Sequence, residues 1–489
     1  MTRDRPVRLT PAAWALVAAG IVYFASSVGL TDSTAGKTAL VLAAFAVLIQ
    51  LAFTVDPAWL ITAAIISTMF AGNWGQLGLD YSIGPHRVIL GVALLALLLR
   101  APPARDRPAL RFGPVHYVLA AAVIYVVISA IFAGTLGRES GYFGLLDQFG
   151  ALPFLLFAVA PVAFATDRQR DILLGGLVGT GLYLGVTAIL EKLKLNALIW
   201  PGYITDPNVG NHFGRARGPF VESGAEGVAL YACAVAAAVA LLRWRGTWPR
   251  LAAWAVLVLA PVGMQLTVTR GVWLAGIAAT LVVFATTAEL RRYLLPGAVA
   301  LVVIVLGAFA VIPGLAREAS DRQKDKNPIY ERQNTNAAGL RMVAAKPILG
   351  FGWDRGNENL ASYFELHPNI PLVGARAGFH DIYLQYAVTL GVVGVALWLL
   401  AAGLAIGGAL AGRAPPSVRP WQVGLKALAV AWFVIGLSSP ASYVFSTFLF
   451  WTWGGIVYGG LSRAPEVVPV SSNGHRNGHR PHVAEPVLG

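Results

Sequence analysis

The stretch from Leu251 to Ala288, LAAWAVLVLAPVGMQLTVTRGVWLAGIAATLVVFATTA, decides the fold class of this chain. It holds 38 residues and a single charge, Arg270, which is the twentieth residue of the stretch. One crossing of a bilayer takes about 20 helical residues, because the hydrocarbon layer is roughly 30 Å thick and a helix rises about 1.5 Å per residue. The stretch therefore predicts two consecutive membrane-spanning helices, with Arg270 in a tight turn between them.

The rest of the chain repeats this pattern. Of its 489 residues, 56% are hydrophobic and only 12% are charged, which is too apolar for a water-soluble core. The runs are apolar on all sides and do not alternate, so a β-barrel is excluded. We predict an all-α, polytopic integral membrane protein with about 14 transmembrane helices (12 to 14). The predicted spans are 10–30, 37–54, 57–72, 86–100, 114–134, 150–166, 171–191, 223–242, 250–268, 271–288, 293–313, 380–411, 420–438 and 442–461.

The basic loops predict the orientation, because short cytoplasmic loops are rich in Lys and Arg. With a cytoplasmic N-terminus, every strongly basic short loop lies inside: those with Arg105, Arg107 and Arg111; Arg168 and Arg170; Arg243, Arg245 and Arg250; Arg291 and Arg292; and Arg413 and Arg419. Both termini are then cytoplasmic, and the long segments 192–222 and 314–379 lie outside. Much of the net charge of +13 follows from this topology, so no nucleic-acid partner is expected.

Three parts of the chain differ in composition. Residues 1–150 hold N-terminal transmembrane helices, and residues 151–463 hold the remaining spans with both long outer loops. The second of these loops contains a predicted amphipathic helix from Arg332 to Lys346. Residues 464–489 are polar and basic and predict a disordered cytoplasmic tail, in which an NGHR repeat is not expected to hold a metal. The single cysteine, Cys233, cannot form an internal disulfide.

Arginines at the predicted outer ends of the spans are candidates for binding an anion. In GRARGPFVESGAEG, Arg215 and Arg217 are flanked by glycines that permit close backbone approach, and guanidinium groups bind phosphate bidentately. A solvated basic loop is the alternative. Arg270 lies at the hydrocarbon edge, where an unpaired charge costs a few kcal/mol. It is either functional or an interface anchor.

The segment GFHDIYLQYAVTLGVVG places His380 at the predicted outer entrance of a span. Imidazole titrates near neutral pH, so His380 is a candidate general base, although a structural histidine is the alternative. Next to it, Asp381 is expected to cap the helix and not to orient the imidazole. Glu222 or Ser223 is likewise expected to cap the helix that begins there.

Four elements in this order resemble the O-antigen ligase and O-antigen polymerase (Wzy-like) superfamily of bacterial polytopic membrane glycosyltransferases. They are the span His380 to Gly394, with nine residues between Asp381 and Gly391; LTVTRGVWLAG around Arg270; Arg-x-x-Gly-x-Phe from Arg215; and Arg332, fifteen residues before Pro347 in KPILGFGW. The resemblance covers about residues 150–460. Two departures are Asp381, where the family has Asn, Ser or Gln, and residues 222–225, where it often has Pro-Asn.

The resemblance implies a reaction: transfer of a glycan from a polyprenyl-diphosphate-linked donor to an acceptor hydroxyl, on a lipid or a glycan, at the outer face of the cytoplasmic membrane. Arg215, Arg217, Arg270 and Arg332 would bind the diphosphate, and His380 would be the catalytic base. No cofactor or metal is implied, membrane lipids surround the protein, and the choice between ligase and polymerase stays open. The alternatives are a transporter or flippase, and a metal-dependent polyprenyl-phosphate sugar transferase.

Overall fold

We describe the protein from a computed structural model. It describes residues 50–79, 83–99, 112–311, 326–367, 370–374, 378–439 and 443–462, with isolated positions at 47, 314, 317, 320 and 324. The predicted span 10–30, most of the span 37–54, the basic loop with Arg105 and the tail 464–489 lie outside the described residues. Within the described part of the chain the only β-type pairing is an isolated bridge between His367 and Ile370, so that part is all-α.

In chain order the helices are α1 (Pro57–Phe70), α2 (Pro85–Leu99), α3 (Pro114–Ala133), α4 (Glu139–Ala163), α5 (Asp167–Lys192), α6 (Ser223–Arg243), α7 (Thr247–Leu266), α8 (Arg270–Thr286), α9 (Arg291–Val311), α10 (Asn327–Ala345), α11 (Gly356–Leu360), α12 (Ile382–Ala411), α13 (Arg419–Gly436) and α14 (Val444–Ser462). Most of the described helices are joined by short connections, whereas longer segments separate α5 from α6 and α11 from α12. Each predicted span from 57–72 onward coincides with one of these helices.

Eight of the described helices are long and apolar enough to cross a membrane: α3, α4, α5, α6, α7, α9, α12 and α14. Three others, α1, α2 and α8, are apolar but shorter. The chain is therefore a polytopic helical membrane protein, while the count of 12 to 14 spans stays a prediction. Large apolar side chains such as Phe132 (88% exposed) and Leu98 (70% exposed) lie on the surface of these helices, as lipid contact requires.

The core lies between α4, α6, α13 and α14, where aromatic side chains pack. Trp451 packs edge-on against Phe154 and Phe157, while the Trp453 indole donates to the carbonyl of Trp421. All of these tryptophans are at most 1% exposed. Aromatic pairs of this kind add to the energy of apolar burial, so α14 is the central helix of the bundle.

Ion pairs between the segments that connect the helices identify one end of the bundle. At one end, Arg243 pairs with Asp167 and Asp171, at 3.1 and 3.0 Å, and Arg419 pairs with Glu289. All of these residues lie in or beside connections that the basic-loop pattern assigns to a single side. The connections assigned to the other side meet at the opposite end. The described helices therefore alternate in direction through the bundle.

Candidate functional site

A cavity of about 980 Å³ opens at the end of the bundle away from the Arg243 and Arg419 ion pairs. Its size is at the upper end of ordinary ligand sites. Parts of six separate segments line it: residues within 68–73, 210–225, 268–271, 328–332 and 378–380, and residues 438, 439, 443 and 444. The structure thus brings Arg215, Arg270, Arg332 and His380, which are far apart in the sequence, to the walls of one cavity.

Arg270 is the first residue of α8, and α7 ends at Leu266, so only three residues form the turn between them. The tight turn predicted from the sequence is confirmed. Trp273 closes it, because its indole nitrogen donates to the carbonyl of Met264 at 2.8 Å. The helix N-terminus and the guanidinium both contribute positive charge at the same place, which favours an anion there.

The two arginines of the GRARG segment face different surroundings. Arg215 lines the cavity. Arg217 does not: it is 1% exposed, and its guanidinium donates to the backbone carbonyls of Ile204, Asp206 and Val209. Arg217 therefore holds the 204–211 loop in place, and its guanidinium is not available to bind a diphosphate in the cavity. Our prediction of four diphosphate-binding arginines reduces to three.

Glu222 is the N-cap of α6, and its carboxylate accepts from the backbone N–H of Gly224 at 3.4 Å. The cap predicted from the sequence is confirmed. The same carboxylate accepts from Asn211 at 3.1 Å and lies 3.2 Å from Nδ1 of His212. Burial raises the pKa of Glu222, but these hydrogen bonds outweigh burial and hold its pKa below the usual range. Glu222 is therefore a carboxylate fixed within the loop.

Helix α10 carries Arg332 to the cavity. The predicted amphipathic helix is confirmed, but it begins at Asn327, five residues earlier than expected, because Pro328 suits the first turn of a helix. Arg332 lies close enough to Arg270 for the charge of Arg270 to act on it. Partial burial and the Arg270 cation both lower the pKa of Arg332, while the Glu331 carboxylate raises it. Two cations in this proximity favour a multiply charged anion between them.

His380 lies two residues before α12, at the cavity wall. Asp381 is the N-cap of that helix, and its carboxylate accepts from the backbone N–H groups of Tyr383 and Leu384 at 2.9 and 3.1 Å. As predicted, it caps the helix. Burial lowers the pKa of His380, and this outweighs the opposing charge of Glu331. The imidazole is therefore neutral at neutral pH, the form that can accept a proton.

Helix α12 is broken at Gly391, where φ is 67° and ψ is −174°. The segment KPILGFGW packs against the break and replaces the missing helical hydrogen bonds. Phe351 N–H donates to the carbonyl of Val388 at 2.8 Å, and Val392 N–H donates to the carbonyl of Pro347 at 2.8 Å. The KPILGFGW segment and the break at Gly391, which are some forty residues apart in the sequence, therefore form one structural unit. This unit fixes the half of α12 that follows His380.

A Gly391→Ala substitution should strongly destabilise the protein. The backbone conformation is essentially restricted to glycine and costs roughly 1–3 kcal/mol for other residues. An added Cβ would also lie 2.1 Å from the carbonyl oxygen of Ile348. Thermal unfolding in detergent measures the effect. In the same helix, Gly403 has no neighbouring atom within 4 Å of an added Cβ, so Gly403→Ala should be neutral or slightly stabilising. Equal melting temperatures for the two variants would contradict this account of the break.

The structure brings four of the five predicted site residues together and adds neighbours that the sequence did not indicate. Glu331 and Tyr443 also line the cavity. Glu331 directly precedes Arg332 in the sequence. Its position beside a candidate arginine is the sequence feature from which Glu331 could have been predicted as a site residue. Tyr443 is half-buried, and burial raises the pKa of its phenol, so it can act as a neutral hydrogen-bond donor.

Comparison with known proteins adds one finding. Residues 255–399 match the family model described as O-Antigen ligase. The matched region contains Arg270, Arg332, His380 and the break at Gly391, whereas Arg215 precedes it. No curated protein matches the chain. Residues 255–399 of this polytopic membrane protein are therefore similar to the O-antigen ligase family.

Proposed function

We propose that this protein transfers a glycan from a polyprenyl-diphosphate-linked donor to an acceptor hydroxyl at the outer face of the cytoplasmic membrane. The observation that carries the proposal is the convergence of Arg215, Arg270, Arg332 and His380 on one cavity at one end of a helical bundle. Three guanidinium groups and one neutral imidazole suit the two demands of this reaction, namely a doubly phosphorylated leaving group and a hydroxyl that must lose a proton.

The arginines would act on the leaving group. As the bond between the anomeric carbon and the diphosphate oxygen breaks, negative charge grows on the diphosphate. Preorganised cations stabilise that charge more in the transition state than in the bound donor, which is the condition for accelerating the reaction. The polyprenyl chain would lie in the bilayer beside the bundle, while the diphosphate enters the cavity.

His380 would act on the acceptor. The hydroxyl proton passes to the imidazole as the acceptor oxygen bonds to the anomeric carbon, and the electron pair of the broken bond leaves with the diphosphate. A positioned base of this kind contributes roughly 10²- to 10⁴-fold to the rate. The scheme needs no metal. Among the described residues, no group of three or more His, Cys, Asp or Glu side chains could hold one.

Reconstitution of the purified protein with a labelled polyprenyl-diphosphate-linked glycan and a hydroxyl acceptor tests the proposal. Donor binding and glycan transfer are measured separately, with and without a chelator. Transfer that persists in the chelator supports the scheme. Transfer that stops would favour the metal-dependent sugar transferase, and movement of intact donor across the bilayer without transfer would favour a flippase.

Accessibility of engineered cysteines should show the cavity end of the bundle on the outside. In a Cys233→Ala background, Asn208→Cys and Glu365→Cys place thiols at exposed positions of the two long loops, and Thr247→Cys places one at the opposite end. An impermeant maleimide added to intact cells should label the first two and not the third. Labelling only at position 247 would reverse the proposed orientation.

A further inference from the structure

The imidazole of His380 faces a carboxylate that the reaction scheme above does not use. Its Nε2 lies 3.7 Å from Oε1 of Glu331, and the two side chains are 32% and 31% exposed. Nδ1 is buried, so Nε2 is the nitrogen that faces the cavity. The separation is longer than a hydrogen bond. In the tautomer that carries the imidazole proton on Nδ1, the lone pair of Nε2 is open to an acceptor hydroxyl, and the carboxylate lies within electrostatic range.

The surrounding chain holds Glu331 in this orientation. An added Cβ at Gly374, where φ is 83°, would lie 2.4 Å from Cγ of Glu331, so the loop backbone rests directly on the side chain. Asn334, on the same helix, fastens that loop, because its side-chain amide donates to the carbonyls of Pro371 and Val373 at 2.8 and 3.1 Å. The carboxylate is thus packed from one side and directed at the imidazole on the other.

We propose that Glu331 is the positioning partner of His380 and stabilises the imidazolium that forms during transfer. The inference rests on the proposed role of His380 as the base. The proton of the acceptor hydroxyl moves to Nε2, the acceptor oxygen bonds to the anomeric carbon, and the diphosphate leaves with the electron pair of the broken bond. The new cation then lies beside the Glu331 carboxylate, which stabilises it until the proton passes to water.

Other charges around His380 act on it less directly. Glu222 also favours the protonated imidazole and Arg332 opposes it, but the Glu222 carboxylate is already bonded to Asn211 and to the helix start. Asp381 is occupied with the N–H groups of α12. Glu222 and Asp381 thus use their carboxylates in hydrogen bonds that hold the fold. Among the described residues, the Glu331 carboxylate has no such hydrogen bond and lies 3.7 Å from the imidazole.

The pH dependence of transfer tests this role. Because the Glu331 anion favours the imidazolium, Glu331→Gln should weaken the base. The ascending limb of the kcat profile should move to lower pH by about one unit, and the plateau rate should fall roughly tenfold. Donor affinity should change little. Glu331→Asp keeps the charge and should restore much of the profile. The control is Glu365→Gln, since Glu365 pairs with Arg341 at 2.8 Å and does not line the cavity.

The outcomes separate this inference from the proposed function. An unchanged limb in Glu331→Gln, combined with a severe loss of transfer in His380→Ala, would overturn the role of Glu331 and leave the base assignment intact. A Glu331→Gln variant that loses as much transfer as His380→Ala would also contradict it, because Glu331 would then be the base itself. Near-normal transfer in His380→Ala would instead refute the proposed function.

Discussion

An Arg270→Lys substitution should lower glycan transfer roughly 10²-fold, although it keeps the charge. The expected loss follows from geometry. A guanidinium presents a planar fork that can bind two phosphate oxygens at once, whereas an ammonium is a compact point charge on a flexible stem. Arg270 is also anchored at the first position of α8, where the helix N-terminus adds its own partial positive charge. Lysine would meet the same anion with a shorter reach and a less defined direction.

The kinetic pattern of this variant distinguishes catalysis from binding. If Arg270 acts mainly on charge that develops in the transition state, kcat and kcat/KM should fall together. A rise in KM alone would mean that the arginine holds donor and transition state equally well. Expression and melting temperature should stay close to those of the unmodified protein, because Arg270 is an exposed residue at a helix end.

Arg341→Lys is the matched control. Arg341 lies on α10 with Arg332, but it donates to the carbonyl of Tyr363 and pairs with Glu365 at 2.8 Å, away from the cavity. That substitution should leave transfer close to normal. If the Arg270→Lys variant transfers glycan as fast as the unmodified protein, Arg270 acts only as an interface anchor, which is the alternative predicted from the sequence.

Local sequence patterns predicted most of the described helices and several of their ends. The length of the Leu251–Ala288 stretch was enough to place the turn before Arg270, and Glu222 was recognisable as a cap from its position before an apolar run. These features depend on residues close together in the chain. Hydrophobic length, capping chemistry and charge asymmetry report on such short-range structure directly.

Long-range contacts were beyond the same reasoning. Arg215 and Arg217 are two residues apart, and only the path of the loop decides that one faces the cavity and the other bonds to Ile204, Asp206 and Val209. Likewise Glu331 reaches His380 because α10 packs against α12. No spacing in the sequence encodes that approach. The break at Gly391 also needed its partner segment to be seen, since a glycine in an apolar span is common.

A His380→Ala substitution should produce the clearest separation of binding from chemistry. The variant should still bind the polyprenyl-diphosphate donor through Arg215, Arg270 and Arg332, yet transfer glycan roughly 10² to 10⁴ times more slowly. The reason is that, in the proposed reaction, the imidazole acts on the acceptor hydroxyl and not on the diphosphate. Donor affinity and single-turnover transfer, measured on the same purified protein, report on the two steps independently.

The competing explanation, a structural histidine at the start of α12, makes the opposite prediction. Helix α12 begins correctly without the imidazole, because the Asp381 carboxylate caps it and the KPILGFGW segment fixes its break at Gly391. The melting temperature of His380→Ala should therefore change little, and His367→Ala, at an exposed loop position, is the control for loss of an imidazole. A variant that melts early but transfers glycan normally once folded would remove His380 from the mechanism. A variant that melts normally, binds donor and fails in transfer identifies the imidazole as the base.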